Sequence, residues 1–280
     1  MGDHFSAFSF VDRITDLQPG VRIRGRYTVP SSLNEFPSSL AAEAIGQLAA
    51  WAAMASVEFQ RRPVAGLAGC IRLLSPISPG QVLELAVELE GGDDDAIGYS
   101  GEASVDGRPV IRLEHCVGPM VLQEEFDCSR ALKDRFELLR GPGATPGGFR
   151  GVPALQPERV NGEPGRCARA NLQVPVSAPF FGDHFPRRPV FPGSLLVHSN
   201  LQLVFDLVSE VEPPARDRRW KVESVSNVKL RSFIPPGEKL EIEANLEERS
   251  ANEAVIAVET RMGRRVVGAA RIRLIPEHGQ

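Results

Sequence analysis

Residues 38–55 (SSLAAEAIGQLAAWAAMA) are apolar nearly all round, with small Ala and Gly faces. A helix of that pattern is wrapped by other structure rather than laid on a surface, so a buried central helix is predicted here. The segments QVLELAVELE, YSGEASV and RPVIRLEHCV alternate apolar and polar residues, as do KLEIEANLE and AVIAVETRM further along. A period of two assigns them to antiparallel strands with one face covered. A second apolar helix is predicted to begin at Pro192-Gly193. Residues 127–140 (DCSRALKDRFELLR) predict a third helix, capped by Asp127 or Ser129 and stopped by Gly141, and the Gly- and Pro-rich stretch 141–166 reads as a linker.

These elements occur twice. IRLLSPISPGQVLELAVELE (71–90) aligns with VKLRSFIPPGEKLEIEANLE (228–247) at a constant offset of 157, placing Ser75 on Ser232, Pro79 on Pro236 and Gly80 on Gly237. Val105-Asp106-Gly107-Arg108 faces Arg261-Met262-Gly263-Arg264 at an offset of 156, and Pro37 falls on Pro192 at 155. Each half therefore reads as a short strand, an apolar helix and several strands. One strongly curved sheet around one helix, repeated, is the economical arrangement. The expected units are residues 1–122 and 150–280, joined by a helix and loop over 123–149.

Composition narrows the partners. The chain has 280 residues, a net charge of -4 and 24% charged residues, an ordinary balance that points to neither nucleic acid nor an anionic membrane. Cys70, Cys116, Cys128 and Cys167 have no metal-ligand spacing and read as reduced thiols of a cytoplasmic protein. No metal or cofactor is expected. The start MGDHFSAFSFVDRI lacks a basic, apolar leader, and both long apolar runs are broken by polar residues such as Glu43, Gln47, His198 and Asp206.

The candidate chemistry sits in GDHFPRRPVFPGSLL (182–196), which joins a residue that titrates near neutral pH, His184, to a helix start. The first-turn N–H groups of that helix, Gly193 foremost, lack intrahelical acceptors and suit a developing negative charge. Glu43 lies in the matching helix of the first half, with Gln47 one turn later on the same face.

FFGDHFPRRPVFPGSLL, the following helix with Gln202, and FIPPGEKLEI resemble the hotdog-fold 3-hydroxyacyl-acyl-carrier-protein dehydratases, whose motif is close to GHFPxxPVxPGVLxxEAxxQ. The first half resembles the same family through FSFVDRI (8–14), SSLAAEAIGQ (38–47) and GLAGCIRLLSPISPGQVL (66–83). The resemblance implies an α+β double hotdog, two tandem repeats of a curved antiparallel sheet around a helix, equivalent to a family dimer fused into one chain. In that family the His of one subunit faces the acidic helix residue of the other.

The departures are complementary. Sixteen residues separate Pro175 from Pro192 but only six separate Pro30 from Pro37, so the first half lacks the loop that would carry a histidine. The second helix carries His198 where the family has its carboxylate. One half thus keeps His184, the other Glu43, which implies a single composite site. His184 would take the C2 proton, Glu43, its carboxyl kept protonated by burial, would protonate the departing hydroxyl, Gln47 would orient Glu43, and the Gly193 N–H would polarise the thioester carbonyl.

The implied substrate is a 3-hydroxyacyl thioester on acyl carrier protein or coenzyme A, giving the trans-2-enoyl thioester in fatty-acid or polyketide biosynthesis. The alternatives are a hotdog thioesterase or acyl-transfer enzyme, and a non-catalytic acyl-thioester-binding protein. A homo-oligomer of pseudo-dimers is compatible with all three. His198 reads as a core or rim histidine. The phenylalanines Phe180, Phe181, Phe185 and Phe191 read as core or tunnel wall, with the small helix positions Ala44 and Gly46 leaving room for an acyl chain. Arg61-Arg62 and Arg187-Arg188 read as solvated charge, or as contacts for an acidic carrier or its phosphate.

Overall fold

A computed structural model describes residues 4–209 and 219–277. Its first half runs β1 (Arg13–Gln18), β2 (Arg22–Thr28), helix α1 (Ser38–Ser56), then β3 (Arg61–Pro63), β4 (Leu67–Leu73), β5 (Val82–Gly92), β6 (Ala96–Val105) and β7 (Arg108–Leu122). Helix α2 (Ser129–Arg140) leads to β8 (Glu158–Glu163), β9 (Cys167–Gln173), helix α3 (Gly193–Ser209), β10 (Trp220–Leu230), β11 (Lys239–Arg249), β12 (Ala254–Met262) and β13 (Arg265–Pro276). The strands form a 13-stranded sheet in the order β1-β2-β5-β6-β7-β4-β10-β13-β12-β11-β9-β8, with β3 paired to β7. Read outward from β4 and from β10, the two halves have the same order, so the fold is the repeated sheet-and-helix arrangement of the double hotdog that the family resemblance implies.

Edge-to-edge pairing of β4 with β10 closes the two repeats into one sheet. Ile71 pairs with Val225 and Ala68 with Val228. The sequence offset of 157 carries Ile71 onto Val228 and Ala68 onto Val225, so the register is that of a local two-fold axis. The helices α1 and α3 are thereby brought into contact with each other. The aligned turns also agree: Gly80 and Gly237 both have positive φ, 86° and 81°. Each donates its N–H back to the chain just before the helix-bearing loop, Gly80 to Val29 and Gly237 to Pro175. Glycine is required at both because a side chain is strained in that conformation.

Alternation in β5, β11 and β12 buries one set of residues against the helices: Leu83, Leu85 and Val87 on the first, Leu240, Ile242 and Ala244 on the second. Ala41, Ala44, Ile45 and Leu48 of α1 are fully buried against that face. The close approach of helix and sheet depends on missing side chains. A Cβ on Gly101 of β6 would meet Ile45 Cγ2 at 2.6 Å and the Ala86 carbonyl at 2.7 Å, and one on Gly25 of β2 would meet Leu48 Cδ1 at 2.9 Å.

Several expectations need correction. Part of the supposed linker is β8, the first strand of the second half, paired with β9. It lies at the sheet edge with most residues exposed, so no alternation marks it. Two strands, not one, precede each helix. Neither Asp127 nor Ser129 caps α2; the capping position is Cys128, whose N–H is bonded by Asp127, while Ser129 is the first helical residue and its N–H bonds Glu124. The stop at Gly141 is as expected. The rest of the connection packs inward, with Phe149 against Phe10 and Phe36 at ring distances of 5.1 and 6.3 Å.

Gly101→Ala should destabilise the protein by about 1–3 kcal/mol, because the added methyl must displace Ile45 or the Ala86 backbone in a packed layer. Urea unfolding would register this as a lower midpoint with an unchanged slope.

Candidate functional site

The loop between β9 and α3 turns through a short 3-10 segment, Pro179–Gly182, and then presents Asp183 and His184. The turn is anchored because the His184 N–H donates to the Phe180 carbonyl at 2.8 Å. The imidazole Nδ1 lies 2.8 Å from the Val190 carbonyl oxygen. A carbonyl only accepts, so Nδ1 carries the proton and Nε2 of the neutral ring keeps its lone pair. Burial holds the His184 pKa below the ordinary histidine value; the nearby Glu43 charge opposes that shift, and the Arg62 charge adds to it.

Glu43 comes from the other half, on α1. Ser194, in the first turn of α3, donates its hydroxyl to Glu43 Oε2 at 2.7 Å, and Gln47 Nε2 donates to Oε1 at 3.2 Å. Gln47 also donates to the Phe8 carbonyl and accepts from the Phe10 N–H, at 3.0 and 2.8 Å, which ties the N-terminal segment to α1. Asp183 holds the same segment from the second half, accepting from the Phe8 N–H at 2.7 Å and from the Phe5 N–H. Gly193 opens α3 where the backbone runs against β10: a Cβ there would lie 2.3 Å from Leu230 Cδ1.

His184, Glu43, Gln47 and Gly193 all line one cavity between the two halves, of about 240 Å³. That is several times the roughly 30 Å³ share of a water molecule, so it admits a ligand rather than isolated solvent. Its α1 wall is Ser39, Ala42, Gly46, Ala50, Trp51 and Met54, and its floor includes Leu113, Val225 and Val228. Gly46 is on this wall, whereas Ala44, two residues earlier and on the other side of the helix, faces the core. Of the phenylalanines, Phe185 and Phe191 line the cavity, while Phe180 and Phe181 are packed in the core.

His198 is elsewhere. It is not on the cavity wall; it contacts Gln202 at 3.3 Å, and burial lowers its pKa. On the same helix, Ser199 donates to the Leu155 carbonyl at 3.2 Å, so the inter-repeat connection covers this region.

Three residues at the cavity were not singled out by sequence as part of a site: Ser194, Asp183 and, as a buried group, Arg62. Arg187 and Arg188 are ion-paired to Glu124 and Glu125. Arg62, by contrast, turns inward, and its Nε and Nη1 have no solvent contact and no hydrogen-bond partner. The signal was present but weak: in a three-residue strand beside Arg61, the alternation places adjacent side chains on opposite faces. Half-buried Tyr99 lies beside buried Cys116 on the cavity wall, and burial pushes the Cys116 thiol up to about 12, which leaves it unreactive.

Residues 160–267 match the family model for the ApeI-like ApeI dehydratases. A 3-hydroxyacyl-[acyl-carrier-protein] dehydratase from Rickettsia typhi is 32% identical over 90 residues, which is 32% of this chain and 62% of that protein. The corresponding dehydratase from Rickettsia bellii is 31% identical over the same span. The chain thus spans about three fifths of the length of the curated relatives it matches. Among solved structures, a MaoC-like dehydratase superposes with a TM-score of 0.51 at 12% identity, covering 92% of this chain and 98% of the other. An acyl-ACP thioesterase from Bacteroides thetaiotaomicron gives 0.52 at 12% identity, with coverage of 91% and 98%. At such identities the structural matches establish the hotdog fold alone. No helix among the described residues is long and apolar enough to cross a membrane.

The two half-buried histidines make stability depend on pH. Both folded pKa values lie below 6.5, so below that pH the unfolded chain binds protons that the folded chain refuses. Their contribution is full above pH 6.5 and is lost as pH falls towards the folded values. Urea midpoints taken at stepwise lower pH should fall in the wild type and fall less steeply in His184→Gln or His198→Gln.

Proposed function

We propose that this chain, which belongs to the hotdog-fold dehydratase family, removes water from a 3-hydroxyacyl thioester at one composite site shared by its two repeats. Residues 1–122 and 150–280 would stand for the two subunits of a family dimer. The observation that carries this reading is that His184 of one half and Glu43 of the other line the same cavity, each fixed by its own hydrogen bonds. The substrate would be an acyl thioester carried by acyl carrier protein or coenzyme A.

The chemistry follows from the two groups. His184 Nε2 takes a proton from C2 of the substrate, and the electron pair left on C2 is delocalised onto the thioester oxygen. The Gly193 N–H, at the positive end of α3, meets that charge. As the pair returns to form the C2=C3 bond, the C3–O bond breaks and the Glu43 carboxyl delivers a proton to the leaving oxygen, giving water and the enoyl thioester. Transfer of the proton from His184 back to Glu43 resets the pair. Gln47 and Ser194 keep the carboxyl aimed at the substrate, and the Val190 carbonyl keeps the imidazole in the tautomer that acts as a base.

His184→Ala and Glu43→Gln should each lower dehydration of 3-hydroxyacyl thioesters by about 10²–10⁴-fold, with thermal unfolding near wild type. His198→Ala should retain most activity. Enoyl absorbance is the measurement; release of free thiol without enoyl product would replace this reading with a hydrolytic one.

Gly46→Leu should shorten the preferred acyl chain. The side chain would extend into the cavity past Tyr99, whose hydroxyl is only 3.3 Å from the added Cβ position. A chain-length series on wild type and variant tests this, and an unchanged profile would place the acyl chain elsewhere.

A further inference from the structure

Residues 4–12 form neither helix nor strand, yet Phe5, Phe8, Ser9 and Val11 line the cavity. Main-chain groups outside a ladder still need partners, and here side chains of both halves supply them. They converge on Phe8. Its N–H donates to Asp183 Oδ2 at 2.7 Å, and its carbonyl accepts from Gln47 Nε2 at 3.0 Å. Asp183 also accepts from the Phe5 N–H through Oδ1 and, at 3.4 Å, from the Ser9 hydroxyl through Oδ2. Gln47 goes on to Glu43, and Asp183 is the residue before His184. The main chain of Phe8 therefore bridges the loop that carries His184 and the helix that carries Glu43.

Asp183 takes no part in the mechanism above. Both of its oxygens are occupied by these donors, and hydrogen bonds to a charged acceptor are the stronger kind. What they fix is the Phe8 ring. That ring is 2% exposed and packs against Phe10 and Phe180 at centroid distances of 4.9 and 6.1 Å. It also stands nearly perpendicular to the His184 imidazole at 5.8 Å, while Phe185 stacks on the same imidazole at 4.2 Å. Two apolar rings thus border the base, one from its own loop and one from the segment that Asp183 holds across from the first half. We propose that Asp183 is a positioning residue for His184: by holding the main chain of Phe5 and Phe8, it seats the Phe8 ring on the imidazole and keeps water from that side of it.

This rests on His184 being the base of the reaction proposed above, so the experiment reads the imidazole itself as well as turnover. The charged groups on the cavity wall with it are Glu43 on α1, Arg62 on β3, Arg135 on α2, Asp127 and Asp183, and His4 of the held segment is bonded to Asp127. Burial lowers the His184 pKa most, the Glu43 charge raises it and the Arg62 charge lowers it. Loss of the Asp183 charge by itself would lower it further, so an upward move reports water reaching the ring. In NMR titrations of histidine-labelled protein, with the His184 signal assigned through His184→Gln, Asp183→Ala should titrate above wild type, towards 6.5. Its kcat for 3-hydroxyacyl thioesters should fall about 10- to 100-fold with KM little changed. Asp183→Asn, which retains one acceptor oxygen, should move both readings the same way by less, and serves as the test if the alanine variant does not fold. A His184 titration that is unmoved or lowered in a folded variant, or an unchanged kcat, overturns the proposal and leaves Asp183 a structural clamp whose loss lowers the unfolding temperature alone. An upward move in a protein whose wild type does not dehydrate these thioesters would instead count against the assigned reaction, leaving the Asp183 contact standing.

Discussion

The pairing of β4 with β10 is the contact on which the rest of the molecule depends. Each repeat alone would expose a strand edge and one side of its helix; joining the edges around a local two-fold axis satisfies the ladder and sets α1 beside α3. The geometry that follows is restrictive. Ser194 at the start of one helix reaches Glu43 on the other across 2.7 Å, and the loop before α3 brings His184 to the same cavity. A shift of register by one residue in β4–β10 would turn either Ile71 or Val225 away from the cavity that both line.

In the fused arrangement His184 and Glu43 come from different halves and line one cavity. In a dimer of identical chains each residue appears twice, so both sites must keep both groups. In a single chain the halves are free to diverge. Here the loop after β2 is short, and the position on α3 corresponding to Glu43 holds His198, while Phe149 and Leu155 of the connection between repeats pack inward on that side. Residues between the repeats help bury the aromatic cluster of Phe10, Phe36 and Phe149.

Most of the polar groups around the cavity are held by backbone, Glu43 being bonded instead by the side chains of Ser194 and Gln47. Val190 sets the imidazole, Phe8 and Phe10 hold Gln47, and the backbone N–H groups of Phe5 and Phe8 occupy Asp183. Such contacts are stiff because the main chain carries little rotamer freedom, which keeps His184 and Gln47 in place at a cleft between the two halves. Arg62 departs from this pattern, since its orientation is set by stacking on Phe185 and two of its nitrogens bond nothing.

Much of this was legible in the chain. The alternation of β5, β11 and β12, the apolar α1, the offset of 157 and the GDHFPRRPVFPGSLL segment together determined the repeated strand-and-helix order and the positions of His184, Gly193, Glu43 and Gln47. These are local signals, written in period and turn chemistry. What they could not contain was anything set by contact between distant segments. Edge strand β8 was hidden because neither face is covered; Ala44 and Gly46 differ only by which side of α1 meets the sheet; Phe180 and Phe181 point to the core while Phe185 and Phe191 reach the cavity. Arg62 is the sharpest case. Beside Arg61 it looks like surface charge, and only the packing of β3 against β7 and of Phe185 over its side chain removes it from water, because burial is a property of neighbours and not of the residue.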